Sequence, residues 1–232
     1  MKRRYQQVSV VAAAGGHGIA LDGKELRTPA KALLVLPACA LATAIAEEWA
    51  AQGSEVRPLT MPLTRLASTA IDLVASRRAE TAAEIAAYAG TDLVCYRAEH
   101  PPELIRRQQA VWQPLVDWAI LRYDAPLTVT AGISPVEQAP ATLRAFAAAV
   151  EGYDHFRMTA LHAATTACGS LVIALALLEE RLDAEAAFAA SQLDESFQIE
   201  QWGEDAEQTQ RRRALFEDIR AAARFTALLA NG

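Results

Sequence analysis

The spacing of apolar residues changes character twice along the chain. From Tyr5 to Leu36 it is short and alternating: "YQQVSVV", "AGGHG", "IALDG" and "KELRTPAKALLVLP" are brief runs separated by turn residues. That rhythm predicts a small β unit of hairpins. "LDGKEL" is the strongest hairpin signal in it, because Asp-Gly supplies the positive φ angles of a tight primed turn. Pro37 then suits the first turn of a helix running to about Ala51, with Gly53 just past its end. Within that helix Leu41, Ile45 and Trp49 recur every four residues, a stripe suited to covering the β unit.

After the proline-marked segment "VRPLTMPLTR" the period becomes helical, which places a domain boundary near Pro62: residues 1–62 form a small N-terminal domain and residues 63–232 a helical one. Helices are predicted over Leu63 to Ala75 and Arg77 to Ala89. A long one follows Pro101, with a kink at Pro114. "TDLVCYR" reads as a short strand or a helix end, and "LTVTAGI" is apolar and β-branched but short. Further helices are predicted at about 140–150, 154–180, 184–202 and 205–229. The fold class is α+β, with a small β-containing unit ahead of a larger helical one.

Composition sharpens this. Of the 232 residues 52% are hydrophobic but only 6% aromatic, so the core is built largely from alanine and aliphatic side chains, as a closely packed helical protein requires. The net charge of -6 disfavours nucleic acid or an anionic membrane as the main partner, since both are held by clustered Lys and Arg. A soluble protein fits better. The basic tip "MKRR" is followed by no apolar stretch of the secretory kind. The greasiest segment, Ala160 to Leu178, is interrupted by His162, Thr165, Thr166, Gly169 and Ser170 and reads as a buried helix rather than a membrane span. Cys39, Cys95 and Cys168 show no ligand spacing and read as reduced, mostly buried thiols.

Catalytic chemistry is not visible. The glycines of "AAAGGHGIALDG" lack the Lys-Ser/Thr ending and the strand-to-helix setting of a phosphate loop and read as turns. His17, His100, His155 and His162 form no metal motif, and no serine sits in a nucleophile elbow. His162 and Cys168 point about 120° apart on one helix, a poor base and nucleophile pair. "TTACGSLVIALALL" places Cys168 and Gly169 among small residues, a tight core contact or a smooth groove for a partner helix.

The most unusual stretch is "SQLDESFQIEQWGED" (191–205), where carboxylates sit among large apolar residues. On a helical wheel Phe188, Ile199 and Trp202 fall within about 40° of one direction, with Gln192 and Glu195 among them, whereas Leu193 and Phe197 lie roughly opposite, near Glu200. Such a helix has two apolar faces. One is for the core; the other meets a neighbouring helix or an outside partner.

"RRYQQV", "LDGKELRTPAK", "LATAIAEEWAAQ", "MPLTRLASTAID", "TDLVCYR", "WQPLVDWA" and "LDESFQIEQWG", in that order and spacing, make the chain resemble the ATP synthase mitochondrial F1 complex assembly factor type 2 family almost end to end. The resemblance implies a non-enzymatic chaperone, without cofactor or metal and expected to be a monomer. It would bind the unassembled F1 α subunit, shield its β-subunit interface, and release it as the α3β3 head forms. It also implies a bacterial, cytoplasmic member, since a mitochondrial one would carry a transit extension ahead of the first strand. Importance carries over to Asp194, Glu195, Phe197, Gln198, Trp202 and Gly203 as partner-binding positions. Trp49 and Asp72 match other motif positions and are expected to hold the fold. The competing reading is a small-molecule enzyme with His162 or Asp72 as acid or base in a cleft between the domains.

Overall fold

The computed structural model describes residues 2–132 and 134–230. The chain is α+β: a three-stranded antiparallel sheet near the N-terminus, a two-stranded parallel pair further on, and helices elsewhere. It divides into two units. One takes in Met1–Arg78, Asp154–Ala160 and Arg224–Gly232, the other Ala79–Tyr153 and Leu161–Ala223.

In the first unit β1 (Val8–Ala13), β2 (Gly16–Leu21) and β3 (Lys24–Glu25) form the sheet in sequence order. The β2–β3 turn is Asp22-Gly23, with φ of 50° and 79°, the primed hairpin the sequence predicts. Of the glycines before it only Gly15 lies in a turn, the two-residue link across which Ala13 pairs with Gly16; Gly16 and Gly18 are part of β2. Helix α1 (Cys39–Ala50) packs on β1 and β2, with Leu41 and Ile45 fully buried and Trp49 half-buried. Arg3 closes its C-terminus. Its guanidinium donates to the carbonyls of Ala50 and Gln52, where a cation also meets the negative end of the helix dipole.

Helix α2 (Pro62–Thr69) starts beneath Glu48 of α1, whose carboxylate accepts from the backbone N–H of Leu63 and of Thr64, both at 2.8 Å. Pro62 has no N–H and Met61 donates to the Pro58 carbonyl, so the two donors left open at this helix start are both satisfied, by a side chain 15 and 16 residues away. Over Ala70–Val74 the helix widens into a π turn, closed by Ala75 N–H donating to the Ala70 carbonyl at 2.9 Å.

The second unit holds α3 (Arg78–Ala87) from Ala79 onward, then β4 (Tyr96–Arg97), α4 (Pro102–Tyr123), β5 (Thr130–Ala131) and α5 (Pro140–Glu151). "TDLVCYR" becomes a single 3-10 turn followed by β4, which pairs in parallel with β5; Ile133, at the end of the "LTVTAGI" run, lies outside the described residues. Helix α4 continues through Pro114. Pro114 and Ala110 are both exposed, so water can meet the carbonyl that the proline leaves without its helical donor.

The single helix expected over 154–180 is two, α6 (His155–Cys168) and α7 (Leu171–Leu178). Gly169 takes φ +64° and Ser170 turns extended, its hydroxyl accepting from Ile173 N–H at 3.0 Å as an N-cap. All eight residues of α7 are buried, as a helix apolar on every side must be. The helix expected over 184–202 is likewise two, α8 (Ala184–Ser191) and α9 (Leu193–Trp202), interrupted at Gln192. Helix α10 (Ala206–Ala230) ends the described chain.

Candidate functional site

The break at Gln192 changes the geometry of the acidic, aromatic stretch. The Ser191 hydroxyl donates to the Phe188 carbonyl at 2.9 Å, an acceptor that a continuing helix would share with Gln192 alone, and Gln192 adopts φ −109°, ψ 22°. The wheel drawn through Phe188, Ile199 and Trp202 therefore does not hold: Phe188 belongs to α8 and packs edge-on against Phe216, ring centroids 5.2 Å apart. Helix α9 by itself keeps two faces. Leu193 and Phe197, one turn apart, are buried, whereas Gln198, Gln201 and Trp202 are exposed, Trp202 to 80%.

The carboxylates divide between holding and display. Asp194 accepts from Gln108 Nε2 at 2.7 Å, while the Gln108 carbonyl takes Arg97 Nη1 and its Oε1 takes Ala98 N–H, both at 2.7 Å. Burial pushes the Asp194 carboxyl above its ordinary pKa, and the Gln108 hydrogen bond and the Arg97 charge pull it partly back. Glu195 is half-buried and accepts from Gln208 Nε2 of α10 at 2.5 Å. Gln192, Glu195, Gln208, Arg211 and Arg212 line a polar hollow of about 330 Å³ there.

Two arginines that sequence reading did not single out organise these surroundings. Arg107 of α4 donates to both oxygens of Glu200 at 2.8 Å and to Glu103 at 3.1 Å, with its guanidinium 5.3 Å above the Phe197 ring. The Glu200 carboxyl is held below its usual range, chiefly by those Arg107 hydrogen bonds. Arg212 of α10 donates to Ser196 Oγ at 3.0 Å, pairs with Glu204 at 3.3 Å, and lies 5.2 Å over the Phe188 ring. The Glu103 and Arg107 spacing is visible in sequence, but the link from Arg107 to Glu200 spans 93 residues and leaves no local signal. Gly203 ends α9 at φ +83°, its N–H donating to the Ile199 carbonyl at 2.8 Å. The six sequence-derived positions thus lie together on one short helix and its end without sharing a face. Gln198, Trp202 and Gly203 are exposed, Asp194 and Glu195 are half-buried, and Phe197 faces the core.

The other singled-out residues hold structure. Asp72, within the π turn, accepts from Thr28 Oγ1 at 2.6 Å and from Ala30 N–H at 3.0 Å, fixing the loop after β3. Trp49 stacks obliquely with Tyr5, centroids 5.7 Å apart, and its carbonyl accepts the Tyr5 hydroxyl at 2.7 Å. His162 is partly exposed, 3.7 Å from Glu84. Cys168 is buried, which raises its thiol to about 12, so it is no thiolate at neutral pH. Among the described residues there is no cluster of three or more potential metal ligands, and no helix is long and apolar enough to cross a membrane.

Comparison with known proteins agrees from three directions. Residues 2–120 match the family described as ATP12 chaperone protein. The mitochondrial protein atp12 of Schizosaccharomyces pombe is 26% identical over 202 residues, covering 81% of this chain and 69% of its own. Among solved structures, Atp12 from Paracoccus denitrificans superposes with a TM-score of 0.94 at 43% identity, covering 98% of both chains. The Atu1473 protein of Agrobacterium tumefaciens gives 0.93 at 41%, over 98% of this chain and 86% of that one. The chain belongs to the ATP12 chaperone family, whose members serve the assembly of ATP synthase.

Proposed function

We propose that this chaperone acts by binding rather than catalysis, and that its client is the unassembled F1 α subunit. It would cover the surface destined for the β subunit and yield it as α3β3 forms. The observation that carries the reading is Trp202, a tryptophan left 80% exposed on a rigidly anchored helix end, beside exposed Gln198, Gln201 and Glu204. Exposed aromatics of that size supply contact area at protein interfaces, and neighbouring charge sets register and moderates affinity. An unassembled subunit exposes an apolar patch that favours aggregation, and competition by its proper neighbour releases the chaperone by mass action.

In this reading Gln198, Trp202 and the chain reversal at Gly203 make the contact. Asp194, Glu195 and Phe197 position α9 from beneath. The test is light scattering of purified α subunit with an equimolar amount of this protein. Wild type is expected to suppress aggregation and to hand the subunit on when β subunit is added. Trp202→Ala and Gln198→Lys should fold and lose suppression. Full suppression by both variants would move the contact elsewhere, and no suppression by wild type would remove the client.

A further inference from the structure

Along the β2–β3 hairpin of the first unit runs a groove of about 1040 Å³. Its apolar wall comes from Tyr5, Leu21, Leu26 and Trp49, all half-buried. The walls are fixed before anything binds. Arg3 ties the N-terminal segment to the end of α1, the Asp22 carboxylate accepts from the backbone N–H of Gln6 at 3.0 Å and of Gln7 at 2.8 Å, and Tyr5 is held by its hydroxyl.

The rim is basic. Lys2, Arg4, Lys24 and Arg27 are exposed around it, and the acids among the lining are Asp22 and Glu25. Asp22 is already committed to the Gln7 and Gln6 N–H groups, which hold its carboxyl below the ordinary range. Lys2, Arg4 and Lys24 form no ion pair with a carboxylate among the described residues. In a chain of net charge -6, an excess of cations around an apolar trough reverses the local sign of the field.

We propose that this groove docks an extended acidic peptide segment of a partner protein. An apolar side chain of the segment seats between the Tyr5–Trp49 pair and the two leucines, and carboxylates on either side meet Lys2, Arg4 and Lys24. Three features favour that occupant. An extended segment places alternate side chains into a pocket and toward a rim, and it would lie along the two-residue edge of β3, since Leu26 and Thr28 beyond it are already paired with Leu34 and Ala32. Rigid walls lower the ordering cost of binding. Charge of opposite sign accelerates docking and rejects basic segments. An anionic membrane is the poorer match, because the acidic remainder of the chain is repelled from such a surface.

The test uses the full chain and a fluorescein-labelled peptide, Gly-Glu-Asp-Leu-Glu-Phe-Asp-Glu-Gly, followed by fluorescence polarisation. Wild type is expected to bind it, and raising salt from about 50 to about 300 mM should weaken binding several-fold. The double variant Arg4→Glu, Lys24→Glu changes exposed side chains outside the network that fixes the walls, and an unchanged circular dichroism spectrum would show that it folds. It should bind at least about tenfold more weakly, and the same peptide with lysine for every acid should not bind wild type. Equal affinity of variant and wild type, equal binding of the lysine peptide, or no binding by wild type overturns the proposal. Association with vesicles containing phosphatidylserine that the double variant loses, while peptide binding is unaffected, also overturns it and assigns the basic rim to a membrane surface.

Discussion

Helices α7 and α9 each start beside an aspartate, and the two aspartates show how differently one unit uses the same side chain. At α7, Asp92 is fully buried and spent on donors: Ser170 Oγ at 2.5 Å, Val172 N–H at 3.0 Å and Val94 N–H at 3.3 Å. It closes the 3-10 turn before β4 and the first turn of α7 together, so a helix with no polar face of its own acquires a polar anchor. At α9, Asp194 is half-buried, bonded to one glutamine, and followed within three turns by an exposed tryptophan. The first helix is held for the sake of the core. The second is held so that its outer end can be presented.

The largest expected effect is at the buried anchor. Asp92→Ala leaves three donors without acceptors and should cost about 4 kcal/mol in chemical denaturation; a loss under about 1 kcal/mol would mean that α7 is capped sufficiently by Ser170. Next comes pH. Burial raises the Asp92 carboxyl from 3.8 to about 6, so the folded state holds its proton more tightly than the unfolded state does. Its contribution is fully present below 3.8 and is lost as pH rises through about 6. The stability of wild type minus that of Asp92→Asn should therefore fall by about 3 kcal/mol across that window and stay flat above it. A flat difference throughout would show that the hydrogen bonds offset burial, and a difference that rises with pH would show that they outweigh it.

Effects shrink toward α9. Gly203→Ala places a side chain where nothing lies within 4 Å, so only the backbone opposes it: φ +83° with ψ 175° is a conformation essentially reserved for glycine, at a cost of about 2 kcal/mol in thermal or chemical denaturation. Arg107→Ala removes two exposed ion pairs and the cover over Phe197; solvent screening keeps the expected loss smaller than that of Gly203→Ala in the same denaturation assay. Trp202→Ala should change stability by less than about 0.5 kcal/mol while altering client protection. A Trp202→Ala loss as large as that of Asp92→Ala would erase the distinction between the two helices.

The sequence made the hairpin legible because Asp-Gly leaves one turn geometry open, and α4 because Pro101 and Pro102 mark its start; Pro37, expected in the first turn of α1, stands just ahead of the N-cap Ala38 instead. Within 154–202 it showed helix but not the two interruptions. Gly169-Ser170 was a readable stop, glycine followed by a capping residue, and was masked by the greasy run around it. Gln192 carries no such mark, and its break depends on Ser191 bonding backward. The stretch 191–205 stood out for its residue types, yet which acids are sunk and which are shown depends on Gln108, Arg107 and Gln208, distant in sequence and supplied only by the fold.

The Arg3 clasp has a practical consequence for work at the bench. Because that side chain ties the N-terminal segment to the end of α1, Lys2 is held with Trp49 in the lining of the basic groove, and an extension joined to the N-terminus is tethered to that groove. An affinity tag placed there would act as a tethered competitor for the groove, above all one with an acidic cleavage sequence. Protein for binding work should have such an extension removed before the first titration.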